Sequence, residues 1–210
     1  MAEVTLEPAG REKRRTLVNL FQLYAHDFSE QWFDRPEGEL GEDGRLEEYG
    51  LLDNYWNEPR HEVLLIRADG RLAGFAMVNA YSHSGLPLDF QIAEFFVARK
   101  HRRSGVGQAA ALAIIGARPG LWELAVARRN PGAQAFWRRV AALLAGVDRA
   151  GLAAGVERRA GRGGGCARGV RRRGASAALV GLPRLGRSAH GRGCRACRRA
   201  GVARIRRRAR

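Results

Sequence analysis

Apolar positions recur with two different periods over the first 145 residues, and they predict alternating strands and helices. Val4 and Leu6 alternate with Thr5 and Glu7 ahead of Pro8, which predicts a short strand over 4–7. Leu17, Leu20, Phe21, Tyr24 and Phe28 fall on one face of an amphipathic helix over 11–28, with the other face charged. Residues 62–67 and 72–79 are apolar runs separated by Asp69 and Gly70, and an Asp-Gly pair in that setting predicts a hairpin. A strand over 92–97 leads through a basic loop into an Ala-rich helix over 104–116, with Val106, Ala110, Ala113 and Ile114 on one face. Pro119 and Gly120 end that helix, 122–126 reads as a further strand, and Pro131 opens a last helix running to about 144 with Asn130 at its N-cap.

Between these elements the polar stretches read as loops. Residues 34–49 form an acidic, Gly-containing loop in which Glu37, Glu39, Glu42 or Asp43 either attracts a cationic amine or is simply solvated. A short helix follows over 51–56. Residues 81–87 carry Ser82, His83 and Ser84, but no nucleophile elbow or acidic third member accompanies them.

Charge divides the chain of 210 residues, whose net charge is +16. Up to Asp148 there are 18 Lys and Arg against 20 Asp and Glu, whereas from Arg149 onward 19 Arg face the single acid Glu157. Every aromatic residue lies at or before Trp137, and Cys166, Cys194 and Cys197 all lie beyond it. Residues 1–145 therefore read as one α/β domain of ordinary core size, and 146–210 as an Arg/Gly/Ala-rich basic tail without enough apolar surface to order itself. No stretch has the length of a membrane span and no apolar signal core opens the chain, so a cytoplasmic protein without membrane contact is expected. A zinc site drawn from Cys166, His190, Cys194 and Cys197 fits no standard spacing, and no metal is expected.

The stretch that carries chemistry is IAEFFVARKHRRSGVG, Ile92 to Gly107. An apolar strand enters a loop holding Arg99, Lys100, Arg102 and Arg103, and Gly105 and Gly107 stand where the helix begins. Glycine allows close backbone approach and positive φ, and the free N–H groups of a helix start favour an anion, so the order describes a phosphate cradle.

This run, Arg102, Arg103, Ser104, Gly105, Val106, Gly107, resembles motif A of the GNAT superfamily of N-acetyltransferases. NPGAQAFW, Asn130 to Trp137, resembles the family's Asn-x-x-Ala-x-x-Tyr/Phe segment in the right order behind it. The resemblance implies a mixed, mostly antiparallel sheet flanked by helices, with acetyl-CoA as co-substrate and a small-molecule or peptide amine as acceptor. It implies that Arg102, Arg103, Ser104, Gly105, Val106 and Gly107 hold the pyrophosphate. Phe96 and Val97 would serve the pantetheine arm and acetyl carbonyl, and Asn130 would face the cofactor.

Direct transfer needs a neutral amine, and neutralising one with a pKa of about 10.4 at pH 7 costs about 4 to 5 kcal/mol, which a general base helps offset. Glu94 interrupts an apolar strand where a charge needs a reason, and it is the candidate catalytic base, with solvent exposure at a sheet end or pairing with an arginine as the structural alternative. Phe136 stands where many relatives carry a Tyr general acid, which leaves Tyr24, Tyr81 or solvent for that work.

The family closes its sheet with C-terminal strands, and nothing after residue 145 alternates in that way. The composition there is that of a GC-rich gene read in another frame, so missing C-terminal strands and an uncovered sheet edge are expected. The competing reading of the tail is non-specific nucleic-acid contact through its arginines, with the domain a non-catalytic scaffold and with no aromatic residues to stack bases.

Overall fold

A computed structural model of the chain describes residues 2–30, 38–156 and 200–207. Its centre is a six-stranded sheet in the order β1-β2-β3-β4-β5-β6. The strands are β1 (Val4–Pro8), β2 (Glu62–Ala68), β3 (Arg71–Asn79), β4 (Phe90–Val97), β5 (Gly120–Ala127) and β6 (Ala200–Arg207). Neighbours run antiparallel except β4 and β5, which are parallel. The β2–β3 turn follows from its Asp-Gly pair: Asp69 has φ 49° and Gly70 φ 73°.

Helix α1 (Arg14–Ser29) and the short α2 (Asn54–Asn57) lie on one face, where Leu17, Phe21, Tyr49 and Tyr55 pack on Val63, Leu65, Phe75, Met77 and Phe96. Helices α3 (Val106–Gly116) and α4 (Pro131–Val156) cover the other, with Ile114, Trp137 and Val140 against Ile92, Trp122, Leu124 and Val126. Alternation along the strands feeds apolar side chains to both faces, and Ile66, Ala73, Val97, Val106 and Ala110 form a third cluster at the start of α3.

Two expectations about the C-terminal part change. Helix α4 continues past 144 to Val156. The edge of β5 is covered: β6 pairs with it along its whole length, from Gly120↔Arg207 to Ala127↔Ala200, and Ile205 packs on the α3/α4 core. An edge strand satisfies the ladder with backbone groups, so an arginine-rich segment can supply it without the apolar alternation that marks a buried strand. Disorder and nucleic-acid contact are expected of the whole 146–210 tail, but 146–156 continue α4 and 200–207 form β6, so the disorder does not hold there; the rest of the tail, with its cysteines and His190, lies outside the described residues, as does Glu37.

Candidate active site

A bulge aims the candidate base. Met77 pairs with Glu94 and Val78 with Ile92, so Ala93 is an extra residue in β4. Ile92 belongs to the α3/α4 core, whereas Ala93 packs in the α1/α2 core and Glu94 meets Tyr24 of α1. Without the extra residue, alternation would carry Glu94 to the face of Ile92.

Glu94 is 5% exposed and accepts a 2.6 Å hydrogen bond on Oε2 from the Tyr24 hydroxyl. Aromatic rings surround this pair: Tyr24 lies 5.9 Å from Phe75 and 6.0 Å from Phe96, ring to ring. Burial pushes the Glu94 carboxyl up to about 7, against the Tyr24 hydrogen bond, which favours the charged form. Burial and then the Glu94 charge hold the Tyr24, Tyr49 and Tyr55 phenols above their ordinary value. A carboxyl balanced near neutrality suits a general base.

Beside it the sheet opens. β4 and β5 pair over three positions, Phe90↔Trp122, Gln91↔Glu123 and Ile92↔Leu124. Past them β4 stays with β3 as far as Val97, and β5 stays with β6. The side of β4 away from β3 thus borders a gap from Ala93 onward, and Phe96 and Val97 lie along it, both buried.

At the end of β4 the chain passes through a short 3-10 turn, Arg99–His101, into α3. Arg103 takes φ 62° and Gly105, the N-cap of α3, takes φ 88°. The first-turn N–H groups of Val106, Gly107 and Gln108 have no acceptor within the helix. A Cβ on Gly107 would stand 3.4 Å from Val97 Cγ2 and 3.5 Å from Phe136 Cε2, so the backbone sits close to both. Lys100, Arg103 and Ser104 are exposed around this helix start, while the Val106 side chain is buried and leaves only its backbone for a ligand. A left-handed glycine, free amides and exposed cations fit a diphosphate.

Arg102 is held more tightly than its neighbours. Its Nε donates to the Val97 carbonyl at 2.6 Å, its Nη2 donates to Asp27, and its guanidinium lies 5.5 Å from the Phe96 ring centre. Arg99 donates to the same Asp27 at 2.8 Å. Burial alone would raise the Asp27 carboxyl, but the Arg102 and Arg99 hydrogen bonds outweigh it and hold it below the usual range.

Asn130 caps α4, its Oδ1 accepting the Ala133 N–H at 2.9 Å, ahead of Pro131 in the first turn. Phe136 stacks on Phe95 at 5.8 Å and meets Trp137 edge-on at 4.9 Å. Tyr81 is 57% exposed, whereas Tyr24 is hydrogen-bonded to Glu94 itself. In the 81–87 loop, Ser84 Oγ donates to Glu123 and Ser82 Oγ donates to the Leu86 carbonyl, so both hydroxyls hold the loop. The 38–49 segment is pinned to α1 by Gln22, which donates to the Leu46 carbonyl at 3.1 Å and accepts its N–H at 2.9 Å. Glu39, Glu42 and Asp43 are exposed on it.

Sequence reasoning missed Tyr49, Tyr55, Asn79, Gln91 and Glu123, all buried on the Glu94 side of the sheet. For Gln91 and Glu123 the signal existed. Each is a polar residue inside an apolar strand, the same interruption that singled out Glu94.

The sequence model of the acetyltransferase (GNAT) family matches residues 17–141, more than half of the chain. The chain belongs to the GNAT acetyltransferase family. GNAT enzymes use acetyl-CoA as co-substrate, and the matched span holds the bulge, the gap and the glycine turn. Similar solved structures include an acetyltransferase from Thermus thermophilus, at 16% identity over 65% of this chain and 84% of that one, with a TM-score of 0.46. The GNAT domain of S. lividans PAT is 15% identical over 65% of this chain and 80% of that one, with a TM-score of 0.46. A GNAT family acetyltransferase from Elizabethkingia anophelis, solved with acetyl-CoA bound, is 13% identical over 65% and 73%, with a TM-score of 0.42. No curated sequence matches the chain. Among the described residues, no helix is long and apolar enough to cross a membrane, and no group of His, Cys, Asp and Glu could hold a metal ion.

Proposed function

We propose that this GNAT protein transfers an acetyl group from acetyl-CoA directly to the amine of a small-molecule or peptide acceptor, with Glu94 as general base. One observation carries the reading: a buried carboxyl poised at about 7 stands at the bulge where β4 leaves β5. Bound in that gap, acetyl-CoA supplies an activated acetyl thioester. The N–H groups of Gly105, Val106 and Gly107, with Arg103 and Ser104, hold its diphosphate, and Arg102 braces the turn from Val97 and Asp27. Backbone groups at Phe96 and Val97 orient the acyl carbonyl, and Asn130 lines the cofactor side from the start of α4. Glu94 takes the proton of the attacking amine as the C–N bond forms and the C–S bond breaks, and the thiolate so released is protonated from solvent. Tyr24 keeps that carboxylate oriented and competent near neutral pH.

The experiment is thiol release from acetyl-CoA across a panel of amines, with mass detection of the acetylated product, in the full chain and in Glu94→Gln. Amine-dependent thiol release that the variant lacks is the expected result. A variant as fast as the parent overturns the role of Glu94, and a folded chain that releases thiol with no amine overturns the activity.

A further inference from the structure

A row of buried polar side chains crosses the sheet next to the gap. Asn79 on β3, Gln91 on β4 and Glu123 on β5 are direct partners in register. Val78, Ile92, Trp122 and Leu124 belong to the α3/α4 core, so the alternating neighbours Asn79, Gln91 and Glu123 face the other way, toward the side of Glu94. Their exposures are 8%, 1% and 0%.

Two members of the row have partners. Asn79 Nδ2 donates to the Tyr55 hydroxyl at 2.9 Å, and its Oδ1 accepts the Tyr81 N–H at 3.0 Å. Glu123 Oε1 accepts the N–H groups of His83 and Ser84 at 2.7 and 3.1 Å, and its Oε2 accepts from Ser84 Oγ. Gln91 Oε1 differs. Among the described residues it is the buried side-chain polar atom without a hydrogen-bond partner. Native interiors rarely leave such an acceptor unmet, and a site built around one discriminates strongly for a donor.

Building on the acetyl-transfer reading above, we propose that Gln91 is a specificity-determining residue. Its Oε1 accepts a hydrogen bond from a second donor group, hydroxyl or ammonium, on the amine substrate. Gln91 is the last paired residue of β4 on this face before the gap, and Glu94 follows on the same face beyond the bulge, opposite Met77 where Gln91 stands opposite Asn79, so the two lie two rungs or about 7 Å apart along the strand. An amine delivered to Glu94 with its chain lying back along β4 brings a donor at that spacing to Gln91. It passes beneath the 81–87 loop, whose His83 and Ser84 amides cover the row. The neighbouring Glu123 carboxylate favours a donor there and disfavours an acid.

The test is calorimetric titration of the full chain, in the presence of CoA, with hexylamine, 6-aminohexanol, 1,6-diaminohexane and 6-aminohexanoate. The alcohol or the diamine binds about tenfold more tightly than hexylamine, the acid binds most weakly, and whichever donor binds best identifies its type. Gln91→Met, which keeps the size and removes the acceptor, erases the advantage while leaving hexylamine affinity and the thermal midpoint in place. Gln91→Glu retains acceptor atoms and keeps the preference, which covers the case in which the methionine variant fails to fold. Equal binding of all four amines, no binding of any, or a preference that survives Gln91→Met overturns the proposal. Thiol release separates the two readings. A preference in binding without thiol release from acetyl-CoA in the presence of any amine sinks acetyl transfer and leaves the Gln91 contact standing, whereas release at the same KM for hexylamine and aminohexanol does the reverse.

Discussion

The Tyr24 hydroxyl donates to Glu94 Oε2 at 2.6 Å, and this contact ties helix α1 to the bulge of β4. It holds in place a charge that its apolar surroundings disfavour.

Replacing Glu94 by Gln keeps the shape and removes the proposed base, and the expected fall in kcat is about 10²- to 10⁴-fold with acetyl-CoA affinity kept. Stability carries the opposite sign of the same shift. The folded carboxyl titrates at about 7 against 4.5 for the ordinary group, so between those values the native state holds more protons than the unfolded chain. The native state therefore loses up to about 3 kcal/mol as pH rises from below 4.5 through 7. Urea unfolding across that window measures this loss, which Glu94→Gln removes.

Tyr24→Phe deletes the hydrogen bond and leaves the ring against Phe21 and Phe28. Because that bond favours the charged carboxyl, its loss moves the rising limb of the pH profile of kcat/KM above 7. The cost in stability is about 1–3 kcal/mol, read from denaturant midpoints. A rising limb that stays in place would mean that Glu94 is not the titrating group.

Two glycines fail for different reasons. Gly105→Ala puts a Cβ on a residue with φ 88°, which costs about 1–2 kcal/mol and weakens acetyl-CoA binding in titration. Gly74→Ala would place its Cβ 2.0 Å from the Phe96 carbonyl oxygen, a backbone atom that cannot step aside. That change costs about 3 kcal/mol or more and separates β3 from the end of β4, with the thermal midpoint as the measure.

Ending the chain at Val156 removes β6 and exposes the full ladder edge of β5. Self-association seen by light scattering is the expected outcome, since an open edge templates further strands. A monomer with an unchanged midpoint would show that the edge pairing contributes nothing.

Where local chemistry dictates structure, the sequence could be read. Asp69 and Gly70 make their hairpin, Asn130 and Pro131 open α4, and Gly105 takes the left-handed position ahead of α3. Glu94 was visible because a charge inside an apolar strand needs a reason. The bulge at Ala93 was not visible, because it is defined against the partner strand and no residue type marks it. β6 was hidden for a related reason, its pairing being made by backbone groups in a run that mixes Arg204, Arg206 and Arg207 with small residues. The polar row escaped because Asn79, Gln91 and Glu123 become neighbours only through register, which periodicity within one strand does not report.

The three-position pairing of β4 with β5 has a mechanical consequence. Strands β1 to β4 form one antiparallel plate and β5 with β6 a second, and this short seam is the direct strand-to-strand bond between the plates. The gap is opened by ending that seam early, so on the acetyl-transfer reading the line proposed for substrate entry is also the line with the fewest backbone bonds across the sheet. A ligand bound in the gap, as proposed, would bridge the two plates where the backbone ladder does not.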